Sequence, residues 1–411
     1  MYIWQEKEFP NFEWNKESVL QRLANVKFEI GKLSGIMGAL GFEIKKSAAL
    51  DSLTADILMS SAIEGIVLNR DDVRSSVAWQ LGINNTGVPA SNKYIEGVVE
   101  VMMDAVSNYS VPLTSNRLFK WHTLLFPSVR SFEKITVGAY RNSGQTMQVV
   151  SGRYGSEKIH YEAPPSEQVP EMMDVLLNYI ENAKVDGIIK AAIAHLWFVT
   201  IHPFSDGNGR IARTIMDMLL ARSDNSQNRF YSMSAAIAEN RKSYYDILER
   251  TQKGGLDISE WLIWFLNCLE QAVKKAEQIT KRTLQKAAFW DQYRHLSLNP
   301  RQIKILNMLW DGFEGKLQTG KWAKIAKCST DTALRDIQDL IQKGILVKTE
   351  DGGRSTGYGL KCLPDETLMS KEDFFKMLDE SKRQAEEGKV YSKRDNESFD
   401  QFFKRMANVQ G

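Results

Sequence analysis

The chain has 411 residues, 43% apolar and 25% charged, a globular composition with material for two or three domains. With 53 Lys and Arg against 51 Asp and Glu the net charge is +2, which excludes a strongly basic coat for nucleic acid while leaving room for a local patch. The 3 cysteines, Cys268, Cys328 and Cys362, are too scattered for a disulfide framework or a zinc set. The N-terminus shows no signal peptide and no apolar run reaches the roughly 18 residues of a membrane span, so the sequence predicts a cytoplasmic chain with no membrane partner.

The periodicity predicts a helix over 16–48, with Val19, Leu20, Leu23, Val26 and Ile30 at helical spacing, and a second over 51–64. Asn84 to Asn92 is dense in turn formers and reads as a loop. Helices are predicted over 93–109 and 114–125. Met147–Val150 and Ile159–Tyr161 flank a glycine-bearing turn and predict a β-hairpin before Pro164. Helices follow over 166–183 and 188–200, from 208 onward, and over 237–252 and 257–293. Between 299 and 360 three shorter helices precede two strands, a winged-helix pattern. Ser329 is its third helix's N-cap and Gly344 the C-cap. The tail, 363–411, carries Phe399, Phe402, Phe403 and Met406 at helical spacing and reads as a docking helix. The fold class is mainly α.

The stretch HPFSDGNGR, His202–Arg210, interrupts this pattern. Before it, Ile189, Ile193, Leu196 and Thr200 mark one buried helix face; after it, Ile211, Ile215, Met218 and Leu219 mark another. The loop therefore delivers the chain into a helix N-terminus, where free N–H groups and the macrodipole favour an anion. Gly207 and Gly209 allow close approach of the backbone. Arg210 and Arg213 share a face and supply bidentate charge to a polyphosphate. Asp206 is a hard oxygen ligand suited to Mg²⁺ held jointly with phosphates. His202 is the nearby group able to accept a proton near neutrality, a candidate general base for a hydroxyl nucleophile. Zinc is disfavoured, because His122, His160, His195 and His295 are not in paired ligand spacing.

His202–Arg213, HPFSDGNGRIAR, resembles the signature of the Fic family at every fixed position. Gly138–Arg141 (GAYR), the hairpin before Pro164 and Asn240–Leu248 are similar to further family segments. The resemblance implies a Fic-type helical bundle over 91–290, with a hairpin flap and a helical N-terminal extension over 1–90. It implies transfer of AMP from ATP to a Ser, Thr or Tyr hydroxyl of a target protein, or of the chain itself. By that analogy His202 is the base and Asp206 holds Mg²⁺. Gly207, Asn208, Gly209, Arg210 and Arg213 hold phosphates, and Asn240 and Tyr244 lie on the adenine side. Val149 and Tyr161 of the flap hold the target segment. Gly207 stands where the phosphorylating branch of the family has Lys, which favours nucleotidyl transfer. Removal of AMP, or transfer of another phosphate group, stays open.

Ser60 and Glu64, four apart in SSAIEG, are similar to the inhibitory helix of Fic proteins. The resemblance implies that Glu64 pairs with Arg213 and denies that arginine to the γ-phosphate. The winged-helix-like region, 299–362, holds nine Lys and Arg against five Asp and Glu over 299–348. Its third helix nonetheless carries Asp331, Asp336 and Asp339 against Arg335 and Lys343. A DNA-reading helix is usually more basic. A protein-recruiting or homodimer-forming module is therefore favoured over DNA as its partner, with a DNA-binding regulator as the alternative reading.

Overall fold

The computed structural model describes residues 1–83, 92–127, 135–142, 147–151, 158–310, 313, 315–349 and 356–361. Most of the predicted loop at 84–92, the turn of the hairpin, Cys362 and the tail from 363 lie outside the described residues. The chain divides into two compact units, Met1–Thr280 and Lys281–Gly411. Each is considered by itself.

In the first unit Asn15 caps α1, Lys16–Gly38, by accepting from the Ser18 N–H. The single helix expected over 16–48 does not form. The chain breaks between Gly38 and Gly41, where glycines weaken the helix, and α2 runs from Phe42–Ile63. Gly65, at φ +80°, ends it in a Schellman turn: Gly65 N–H bonds Ala62 O and Ile66 N–H bonds Ser61 O. The helix α3, Arg70–Gln80, was not expected; Asn69 caps it through the Asp71 and Asp72 N–H groups. Its Asn-x-Asp-Asp start is a sequence signal that periodicity alone passes over. α4 is Lys93–Ser107 and α5 is Ser115–Leu125, capped by Asn92 and Thr114.

The antiparallel hairpin β1, Gln148–Ser151, and β2, Lys158–Glu162, pairs Val149 with Tyr161 and Val150 with Ile159. His160 is therefore the extra residue of a bulge. After it come α6, Val169–Asn182, α7, Gly187–Ile201, and α8, Asn208–Asp224. The one helix expected over 237–252 is two, α9, Met233–Glu239, and α10, Arg241–Gln252, separated at Asn240. α11 is Ser259–Tyr293, and the boundary between the units falls within it.

α7 differs from its expected single apolar face. Every residue from Ile188 to Ile201 except Lys190 is buried, because α6, α8 and the residues of α10 and α11 surround it. His195 is buried with them, stacked on Trp261 and 2.9 Å from the Tyr244 hydroxyl. The N-terminal residues are not a separate body: α2 packs on α3, α4, α8 and α9 within the same unit.

α2 is joined to that body by a buried ion cluster. Arg229 reaches Asp56 of α2 at 3.1 Å and Asp217 of α8 at 2.6 Å, and Asp56 also accepts from Ser232 Oγ and the Ser234 N–H. Burial and the neighbouring Asp217 carboxylate push Asp56 up to about 7. Burial likewise raises Asp217.

The second unit contains α12, Pro300–Trp310, α13, Thr319–Ala326, α14, Thr330–Gln342, and the antiparallel pair β3, Leu346–Lys348, and β4, Tyr358–Leu360. Ile305, Leu306, Trp322, Ile337 and Leu340 form its core. Ser329 caps α14 through the Thr332 N–H, and Gly344 follows it at φ +71°. Two of the three acids of α14 have internal partners: Asp336 accepts from Arg301 and Asn299, and Asp339 from Gln302 and Lys343.

Removing the cation of the α2 cluster leaves two carboxylates buried without it. Arg229→Met should therefore cost about 3–5 kcal/mol. A fall in the denaturation midpoint, followed by circular dichroism, measures this. A midpoint unchanged from the parent would remove the cluster from the account of how α2 is held.

Candidate active site

The segment from His202 to Gly207 joins two helices that are themselves fixed by burial. His202 ends α7 in the left-handed region, at φ 51° and ψ 58°, with its N–H on Phe198 O. Few non-glycine residues adopt this conformation, and those that do are held there by their surroundings. Its ring Nδ1 lies 3.3 Å from Val199 O. A carbonyl at that nitrogen selects the tautomer with the proton on Nδ1, leaving Nε2 as the acceptor. Loss of hydration lowers the imidazole to about 4, the Val199 carbonyl opposes the shift, and the Arg141 cation adds to it. The ring is neutral at physiological pH.

The loop closes on itself. Phe204 N–H donates to Asn208 Oδ1 at 2.9 Å, and Asn208 Nδ2 donates back to Phe204 O at 2.7 Å. The Phe204 ring is buried and stacks on His122 with centroids 4.3 Å apart. Gly138 N–H donates to His122 Nδ1, so Nε2 carries that ring's proton and donates to Asp206 O at 3.1 Å. Gly207, at φ +81°, turns the chain into α8, whose first N–H groups have no side-chain cap. Sequence reading named Asn208 as a phosphate ligand; its side chain holds the loop instead, and only its main chain belongs to the helix N-terminus. His122 and Phe126 were missed, since nothing in their own helix marks them: they matter through residues about 80 positions later.

The two arginines diverge. Arg210 is buried between the Tyr94 hydroxyl, at 2.8 Å, and the Phe126 ring, 4.9 Å from its guanidinium carbon. It lies 3.9 Å from the Asp206 carboxylate, whose side chain is 58% exposed. Arg213 is wholly buried and bonded to α2: Nε donates to Ser60 Oγ at 2.9 Å, and Nη2 to Ser60 O at 2.8 Å and Glu64 Oε1 at 2.7 Å. Although burial works against its charge, the Glu64 carboxylate raises Arg213 further above the usual range. The same carboxylate lies over the start of α8. A Cβ added to Gly209 would come within 2.1 Å of Glu64 Oε1. Glycine at 209 is thus what lets an anionic group sit on that backbone.

Glu64, Val149, Tyr161, His202, Gly209 and Tyr244 line one cavity of about 770 Å³. Its floor is completed by Tyr245, Leu248 and Gln252 of α10. Tyr244 is buried with its hydroxyl toward His195, whereas Tyr245 is exposed beside α2, 3.4 Å from Ile63 O. Asn240 is not brought to the cavity: its amide donates to Ala236 O and to Gln271 of α11. Tyr161 is also more structural than expected, 2% exposed with its hydroxyl on Thr200 O at 2.6 Å. His160, at the bulge, meets Glu249 of α10 at 2.6 Å. Lys253 and His160 hold that carboxyl down to about 2.

Among the described residues no group of three or more His, Cys, Asp or Glu could hold a metal ion, and no helix is long and apolar enough to cross a membrane. One exposed carboxylate, Asp206, fits a Mg²⁺ that takes its remaining ligands from water and substrate phosphates.

Residues 2–83 match a domain of unknown function (DUF4172), and residues 112–220 match the Fic/DOC family. The chain is 28% identical over 135 residues to a probable protein adenylyltransferase of Aquifex aeolicus (strain VF5), covering 32% of this chain and 40% of that one. It is 25% identical over 237 residues to the protein adenylyltransferase Fic of Aedes aegypti, covering 56% of this chain and 42% of that one. The chain thus spans less than half the length of these curated relatives. A crystal structure of a Fic family protein from Desulfovibrio desulfuricans G20 superposes with a TM-score of 0.49 at 19% identity, over 84% of this chain and 96% of that one. The His202–Arg213 signature lies within the segment that matches the Fic/DOC family.

Proposed function

We propose that this chain is an autoinhibited protein adenylyltransferase that transfers AMP from ATP to a hydroxyl of a target protein. The observation that carries the reading is the seat of Glu64. Its carboxylate lies against Gly209, in one cavity with a neutral histidine, and is bonded to a buried arginine. A site that holds one anion there is suited to hold another, and a triphosphate competes for the same donors. The names of the relatives support nucleotidyl transfer.

In this reading Nε2 of His202 takes the proton of the target hydroxyl as its oxygen bonds the α-phosphorus, and the bond to the β-phosphate breaks to release pyrophosphate. The N–H groups at the start of α8 and Arg213 hold the phosphates in line. Arg210, pinned by Tyr94, fixes the first turn of that helix. Mg²⁺ at Asp206 would neutralise phosphate charge when bound. With Glu64 in place, Arg213 is unavailable to the γ-phosphate. The flap edge of β1 takes an extended target segment by strand addition, with Val149 facing the cavity.

A hydrogen bond between charged groups contributes about 1.5–3 kcal/mol, so Glu64→Gly should raise AMP transfer about ten- to hundredfold. Intact-mass measurement after incubation with ATP and Mg²⁺ reads this directly; equal labelling of parent and variant would refute the brake. In the Glu64→Gly background, His202→Ala should lose about 10²–10⁴-fold, and Arg213→Ala should raise KM for ATP. The histidine acts when neutral and is lowered to about 4. The acid limb of kcat/KM should therefore fall near pH 4, not at the ordinary imidazole value of about 6.5. A half-maximal point at 6.5 would mean the ring is solvated in the working enzyme.

A further inference from the structure

The end of α7 and the two residues that follow it present four successive carbonyls, from Thr200, Ile201, His202 and Pro203, the first of them at the negative end of a buried helix. All four are capped, one from the flap hairpin and three by Arg141, which precedes it in the chain. Tyr161 of β2 donates its hydroxyl to Thr200 O at 2.6 Å. Arg141 supplies the rest: Nη2 to Ile201 O at 3.4 Å, Nε to His202 O at 2.8 Å, and its own N–H to Pro203 O at 2.8 Å. The same Nη2 donates at 2.5 Å to Pro164 O, where the chain leaves the hairpin. Arg141 is only 3% exposed, and its side-chain hydrogen bonds all go to main-chain carbonyls.

We propose that Arg141 is the positioning residue of the site: its planar fork fixes the left-handed backbone of His202 and fastens it to the exit of the flap. The assignment rests on the reading of His202 as the general base. A residue such as His202, at φ 51°, keeps that conformation only where its surroundings hold it, and Arg141 is the side chain that bonds its carbonyl. Lysine cannot substitute, because one ammonium does not span three carbonyls in the plane of a guanidinium. The hairpin that would receive the target and the imidazole that would deprotonate it thus share one anchor, and their relative placement is set before any substrate arrives. The cation also helps keep the ring neutral.

The test uses the full chain in the Glu64→Gly background. Arg141→Met should lower kcat about a hundredfold, the scale of a displacement of about 1 Å at a reacting group, while KM for ATP stays within about twofold. Arg141→Lys should fall between the two, about tenfold down in kcat. In parallel, the ring C–H signal of His202 is titrated by NMR in the chain with Glu64 retained, a measurement that needs no activity. Its midpoint should move upward in Arg141→Met, where the ring loses both the cation and its fixed place, and by less in Arg141→Lys, where a charge remains but the fixed place is lost. Should the Met variant fail to fold, the Lys variant carries both measurements. A kcat within twofold of the parent, a loss confined to KM, or an unmoved His202 titration overturns the proposal. An inactive Glu64→Gly parent would refute AMP transfer instead, and the titration would still decide the role of Arg141.

Discussion

A guanidinium buried without exposure must be paired, and Arg213 is the one on which this site turns. Its partners come from α2: the Ser60 hydroxyl and carbonyl, and the Glu64 carboxylate. That requirement binds the N-terminal helices to the core and places an acid at the mouth of α8. In the proposed function the pairing is exchangeable, since a phosphate would meet the same need as a carboxylate. Glu64 keeps about a third of its side-chain surface, 32%, exposed, so it is the partner with room to leave.

The other contacts of α2 are of a different kind. Asp56, Ser60 and Glu64 recur every four residues and therefore share one face. Asp56 is locked into the Arg229 cluster, nearly without solvent. The helix is thus held firmly one turn before the place where it touches the site. A release of Glu64 limited to the Schellman turn at Gly65 would leave those buried charges paired, whereas undocking the whole helix would break them.

Around His202 the same economy of main-chain contacts recurs. Asn208, Arg141 and His122 bond loop carbonyls and N–H groups and not one another. Loops carry function when a rigid scaffold fixes them, and here the scaffold is the buried pair α7 and α8. The imidazole gains its neutrality from this setting. Burial removes hydration, and the carbonyl of Val199 fixes the tautomer.

Spacing along the chain was enough for the local features: the helices on either side of the loop, the hairpin, the caps at Ser329 and Gly344, and the candidate residues of the signature. These depend on spacing within one turn or one strand, which is visible in a single segment. The sequence misplaced the break between α1 and α2, where two glycines outweighed an apolar rhythm that continued past them. It read α7 as one-faced because periodicity cannot register burial from neighbours on every side. Asn208 turns to a local partner, Phe204, four positions back, whereas the bond of Asn240 to Gln271 and the contacts of Tyr94, His122 and Arg141 were decided by tertiary structure. An amide or guanidinium has the same chemistry whether it faces a phosphate or a carbonyl. Which one it meets depends on residues up to 60 or 120 positions away that only the folded chain brings within about 3 Å.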